Sequence, residues 1–169
     1  MADKAGKFSK GDWIVHLHYG VGQITGVEKK QIGDEKNSYY RAKTANSIFW
    51  VPVIDPDATR VRQASSKYKI RKAIQIIKDT PVPLSDDHNE RKRQINEAMG
   101  EIGIESGAQL LRDLSARQAS SKLNPSEEKA LDQFSQNFIL EWSVSMDTDI
   151  EKIREKFQQL ISEIHQKVV

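Results

Sequence analysis

Cysteine is absent from this 169-residue chain, which excludes disulfides, thiolate catalysis and cysteine-ligated metals. Long apolar runs are missing too: no stretch approaches the roughly 20 residues that a spanning helix requires. The opening residues Met1-Ala2-Asp3-Lys4-Ala5-Gly6-Lys7 lack the apolar core of a secretory signal, so the cytoplasm is the economical expectation. Charge of one sign is also scarce. Lys and Arg number 26 against 24 Asp and Glu, giving a net charge of +2 and a pI near 8.7. A protein that grips DNA alone carries a stronger positive field, so any nucleic-acid contact is expected to be local and weak.

What is present changes character near Arg60. Before it come short β-branched runs separated by Gly, Asn and Asp, which predict strands at about 12–18, 21–29, 37–44, 47–53 and 59–62. Gly33-Asp34-Glu35-Lys36-Asn37 is the signal for one hairpin, Ala45-Asn46 turns the next pair, and Asp55-Pro56-Asp57 ends the fourth strand. Short strands at this spacing predict a small β-barrel or sandwich, and the bend of the first two around the Tyr19-Gly20-Val21-Gly22 turn suits the barrel.

After Arg60 the pattern becomes helical. Tyr68, Ile70, Ala73, Ile74 and Ile77 share one side of a helix that stops before the stiff connector Pro81-Val82-Pro83. Ser85 is the expected cap of the next helix, whose end is bracketed by Gly100 and Gly103. Three further helices are predicted to begin at Ser106 with Gln109, Asn124 with Glu127, and Thr148 with Glu151. Their stripes include Leu110, Leu111 and Leu114; then Leu131, Phe134, Phe138 and Trp142; then Ile153, Phe157, Leu160 and Ile164. An all-α bundle buries such faces together, so the fold class is α+β. The expected domains are 1–62 and 63–169, with 63–84 as a connecting helix and proline-rich linker.

No catalytic set is readable, and neither an enzyme activity nor a cofactor or small-molecule substrate is expected. His16 and His18 alternate on a predicted strand, which would place both rings on one face. The remaining His88 and His165 lie in distant segments, so no metal site is completed. Tyr19-Gly20-Val21-Gly22 runs from strand to strand, unlike a phosphate loop. Its glycines serve a positive φ or a close backbone approach. Of the adjacent pair Phe49 and Trp50, at least one must face outward, either as an interface aromatic or as a cover for the barrel or the helical half. Basic residues cluster at Arg60 and Arg62; at Lys67, Lys69, Arg71 and Lys72; and at Arg91-Lys92-Arg93, which Arg112, Arg117 and Lys122 can join. Each cluster suits phosphate contacts or an ordinary solvated face.

The run Gly11-Asp12-x-Ile14-Val15-His16-x-His18-Tyr19-Gly20-Val21-Gly22-x-Ile24-x-Gly26-Val27-Glu28, followed by Tyr39-Tyr40 and Val51-Pro52-Val53, resembles the polymerase-interacting domain of the CarD/CdnL family. The same module occurs in the transcription-repair coupling factor. Arg112-Asp113-Leu114 and Leu123-Asn124-Pro125-Ser126-Glu127-Glu128-Lys129-Ala130-Leu131 extend the resemblance through the second half. It implies a Tudor-like or SH3-like β-domain that docks on the RNA polymerase β subunit. A helical domain then contacts upstream promoter DNA and stabilises the open complex, in a nucleoid-associated cytoplasmic protein. Polymerase contacts fall on Lys30 and on Trp50, where basic relatives carry Arg, with Lys29 and Phe49 beside them. DNA contacts fall on His88, which stands where relatives place a wedging Trp, and on Arg91, Lys92 and Arg93; the basic clustering adds Arg117 and Lys122 as candidates. The alternative is a polymerase-docking adaptor whose helices recruit another protein.

Overall fold

A computed structural model describes residues 7–56 and 60–168. Residues 1–6, Asp57 of the expected turn, position 59 of the expected fifth strand and Val169 lie outside the described residues. The chain divides into two compact units, 1–64 and 65–169.

The first unit is one antiparallel sheet of β1 (Trp13–His16), β2 (Gly20–Ile32), β3 (Glu35–Lys43), β4 (Ile48–Pro52) and β5 (Val61–Gln63), in the order β4-β3-β2-β1-β5. The hairpin between β2 and β3 is tighter than expected, a two-residue turn at Gly33–Asp34, so both strands run further into the polar segment. A register shift between Ile24 and Gly26 bends β2, as an extra residue in one strand does. The bend lets Phe8, Ile14, Ile24, Tyr40, Ala42, Phe49 and Val51 close around one small core.

The expected closed barrel is not formed. Among the described residues β4 and β5 stand at opposite edges of an open sheet. β4 ends on Pro52, which has no N–H to donate, and Asp55 then takes a left-handed φ of 55° as the chain leaves that edge. Both readings of the glycine pair hold, one each. Gly20 has a φ of 76°, and a Cβ on Gly22 would meet the Phe49 ring at 3.1 Å.

The second unit contains α1 (Lys67–Lys78), α2 (His88–Gly100), α3 (Ile104–Ser120), α4 (Pro125–Met146) and α5 (Ile150–Val168). Helix α3 packs against the other four. Its Ala108, Leu110, Leu111, Arg112, Leu114, Ser115 and Ala116 are all buried, a wider covered face than a single apolar stripe gives. Tyr68, expected on the packed side of α1, instead faces solvent at 71% exposure, while Ile70, Ala73 and Ile77 are buried. The connector is pinned to α3, since the Val82 amide donates to Asp113 at 2.9 Å.

One expected cap is in place and three move. Asn124 and Glu127 form a complete capping box at α4. The cap of α2 is Asp87, which accepts from the Glu90 amide at 2.8 Å, while Ser85 Oγ accepts from Asp87 N in the turn before it. Helix α3 begins a turn before Ser106, after Gly103, which lets Ile104 pack on the core. Thr148 hydrogen-bonds backward to Met146 and Ser143, and Asp149 receives the Glu151 amide instead.

Candidate interaction surfaces

Strand alternation separates Phe49 from Trp50. Phe49 is buried at 3% exposure, and Trp50 is exposed at 39%. The Phe49 ring stacks on Tyr19, with centroids 4.8 Å apart, and meets the His16 edge. Phe49 is therefore a core residue rather than a contact residue. Trp50 lies opposite Arg41 on β3, which in turn lies opposite Gly26 on β2. On that outer face the Lys30 ammonium sits over the Trp50 ring, 3.1 Å from its centroid. The indole N–H donates to Glu28 Oε2 at 2.9 Å. The other Glu28 oxygen lies 3.6 Å from Arg41 Nε, and Arg41 donates to Thr25 Oγ1 at 2.9 Å.

Lys30 and Trp50, separated by a whole strand, are thus brought into contact. Lys29 is exposed one residue away, and alternation turns it to the opposite face from Lys30. Sequence reading missed Glu28 and Arg41 as members of this group. Their signal was present, as opposite charges on two adjacent strands, β2 and β3, but it needs the register to be seen.

The rings of His16 and His18 do lie together, with centroids 5.8 Å apart, but only His16 belongs to a strand. β1 ends at His16, and residues 17–19 form the turn. His16 is buried; its Nδ1 accepts from the amides of His18 at 3.0 Å and Tyr19 at 3.3 Å. An acceptor at Nδ1 requires the neutral ring. Burial, helped by the charge of His18, pushes its pKa below the ordinary histidine value.

Between pH about 6.5 and that lower value the unfolded chain takes the proton first. The stabilisation from His16 is therefore complete above about pH 6.5 and declines as acid carries the folded group through its own pKa. With Trp142 changed to Phe, Trp13 and Trp50 report the sheet unit alone. Its urea midpoint should fall between pH 7.5 and 5.5, and His16→Asn should remove most of that difference. An equal slope in the variant would exclude His16 as its source.

The helical unit sorts the predicted cations. Arg91 is buried at 7% exposure. Its Nε is paired with Glu127, and its Nη1 donates to the carbonyls of Ser85 at 3.0 Å and Asp86 at 3.2 Å. It clasps the entry to α2 onto the start of α4 and is a structural residue, not an exposed phosphate ligand. Burial opposes the charge on Glu127. The hydrogen bond from Arg91, the Asn124 amide and the charges of Arg91 and Arg117 outweigh it, so the carboxyl is held below its usual value.

Arg112, also buried, pairs with Asp113 at 2.8 Å and donates to Ile76 O, so it does not join a basic rim. Arg117 is largely covered and lies 3.6 Å from Asp86. Exposed are His88, Lys92, Arg93 and Lys122. Arg93 is engaged by Glu90 at 2.6 Å and faces Glu97 at 4.0 Å. His88 and Lys92 line a cleft of about 580 Å³ between α2 and the start of α4, together with Lys129, which sequence reading did not single out.

Among the described residues no group of three His, Asp or Glu is placed to hold a metal ion, and no helix is long and apolar enough to cross a membrane. The fold and these surfaces define the class first: a two-unit α+β protein whose distinctive groups lie on an outer sheet face and in a helical cleft. Residues 8–64 match the model of the CarD-like/TRCF RID domain, and residues 72–158 match that of the CarD C-terminal domain. The chain belongs to the CarD family of transcription factors.

It is 28% identical over 143 residues to the Bacillus subtilis (strain 168) protein named "Putative transcription factor YdeB", covering 81% of this chain and 91% of that one. It is 27% identical over 142 residues to the transcription-repair-coupling factor of Staphylococcus epidermidis, covering 73% of this chain and 11% of that one. The corresponding factor of Staphylococcus haemolyticus matches at 28% over 117 residues, 58% of this chain and 10% of that protein. The chain therefore spans about a tenth of these coupling factors.

Proposed function

We propose that this chain is a non-enzymatic regulator of transcription initiation that works from RNA polymerase. The sheet unit, in this reading a Tudor-like module, docks on the polymerase β subunit through the Trp50–Lys30 face. The helical unit contacts promoter DNA through His88, Lys92, Arg93 and Lys122 and prolongs the open complex. The observation that carries the reading is the meeting of Lys30 and Trp50 on one outer face, over a carboxylate that also faces Arg41. An aromatic body ringed by charges suits a protein interface, where aromatics and Arg dominate the binding energy.

The small net charge fits the same scheme. A few phosphate contacts bind weakly and fall off steeply with salt. Attachment to polymerase raises the local DNA concentration to roughly the millimolar range, where weak contacts suffice. His88 has less apolar area than a wedging Trp for holding bases apart. Stabilisation here rests on backbone contacts, without sequence preference.

The test uses the full chain with purified bacterial polymerase on a promoter fragment. Lys92→Glu with Arg93→Glu should leave polymerase binding intact and shorten the open-complex lifetime several-fold. Free protein should bind duplex DNA poorly at physiological salt. An unchanged lifetime would remove the DNA contact, and absence of polymerase binding by the unaltered chain would remove the docking role.

A further inference from the structure

We infer that the cleft between α2 and α4 is a docking groove for an acidic amphipathic helix of a partner protein, overlapping the proposed phosphate contacts at His88 and Lys92. Its floor is Ile95, Met99 and Ala130; its rim is His88, Lys92 and Lys129. On α2 the positions 88, 92, 95 and 99 recur at helical spacing, so the groove follows one face for nearly the whole helix. Eleven residues of rise make it about 16 Å long, enough for three turns of a guest helix.

Charge complementarity selects the occupant. Neither rim cation, Lys92 nor Lys129, is paired with a carboxylate among the described residues. The one acid in the lining, Glu127, is neutralised by Arg91. The cleft therefore offers unopposed positive charge around an apolar bed. A guest with Leu or Phe at i, i+3 or i+4, and i+7, and Glu or Asp along its flanks, satisfies both parts.

Duplex DNA satisfies only the rim, because phosphates gain nothing from Ile95, Met99 and Ala130. Met99 adds an unbranched side chain that adapts to different guests. The groove and the DNA contacts share His88 and Lys92, so a guest helix and promoter DNA exclude each other, which makes the groove a place where a partner relieves or blocks open-complex stabilisation.

The probe is a fluorescein-labelled acidic peptide of about 14 residues with Leu at those spacings, titrated with the full chain. A second peptide of the same composition in scrambled order isolates bare charge. The ordered peptide should bind in the micromolar range, with the scrambled one at least tenfold weaker. Met99→Asp and Lys129→Glu should each weaken the ordered peptide at least tenfold, and Met99→Asp should leave affinity for a short duplex unchanged. Lys129 is exposed, so its variant tests the groove even if Met99→Asp loosens the fold. Equal binding of the two peptides, or insensitivity to Lys129→Glu, would overturn the proposal. A parallel loss of duplex and peptide affinity in folded Met99→Asp would show a nucleic-acid cleft instead.

Discussion

Glu127→Ala is expected to cost the helical unit about 3–5 kcal/mol, because it leaves the Arg91 guanidinium buried without its counter-charge. The same carboxylate receives the Asn124 amide at 3.1 Å, so half of the α4 capping box is lost as well. Trp142 is buried in this unit, and with Trp13 and Trp50 changed to Phe its fluorescence reads the urea transition directly. Arg91→Met combined with Glu127→Leu should recover a large part of the loss, since an apolar pair removes the stranded charge. The depressed pKa of Glu127 sets the sign in acid. Its contribution is complete above the ordinary carboxylate range and disappears as pH falls through the lower folded value. A loss below about 1 kcal/mol in Glu127→Ala would mean that Arg91 finds water or another partner.

Trp50→Ala carries the largest expected effect on binding. Removing the indole deletes the surface under Lys30 and frees Glu28 from its hydrogen bond, so that Glu28 competes with the partner for Arg41 and Lys30. Truncating a central aromatic of an interface costs about 2 kcal/mol or more, roughly thirtyfold in Kd. Surface plasmon resonance on immobilised polymerase measures it. The sheet core keeps Phe49, so the fold should survive; a circular-dichroism melt checks this. Trp50→Arg is expected to retain binding within a few-fold, because a guanidinium can donate to Glu28 as the indole does. If Trp50→Ala binds polymerase like the unaltered chain, the outer face is not the docking surface.

These expectations divide along a physical line. Periodicity exposed the five helices, because an apolar stripe must be buried whatever it packs against. Asn124-Pro125-x-Glu127 announced its own helix start, because a capping box is closed within four residues. Ser85, Ser106 and Thr148 looked equally good, yet each lost to a neighbour: Asp87 by a shorter hydrogen bond, Gly103 by the packing of Ile104, Asp149 because Thr148 was already engaged by α4. The open sheet was not legible either, since closure depends on whether two distant edges find each other.

The cations show the same division more sharply. Arg91, Lys92 and Arg93 are chemically alike in the chain, but a helix turn of about 100° per residue sends one inward to Glu127, one to the cleft and one to Glu90. Lys30 and Trp50 could be named singly from sequence; their contact, and the parts taken by Glu28 and Arg41, appear only with strand register.

The amino-acid order by itself determined the elements and the family, because hydrophobic period, turn residues and motif order are local properties. Tertiary structure alone decided which charged groups are spent on holding the fold and which remain for a partner. Burial and pairing depend on side chains brought together from distant parts of the chain.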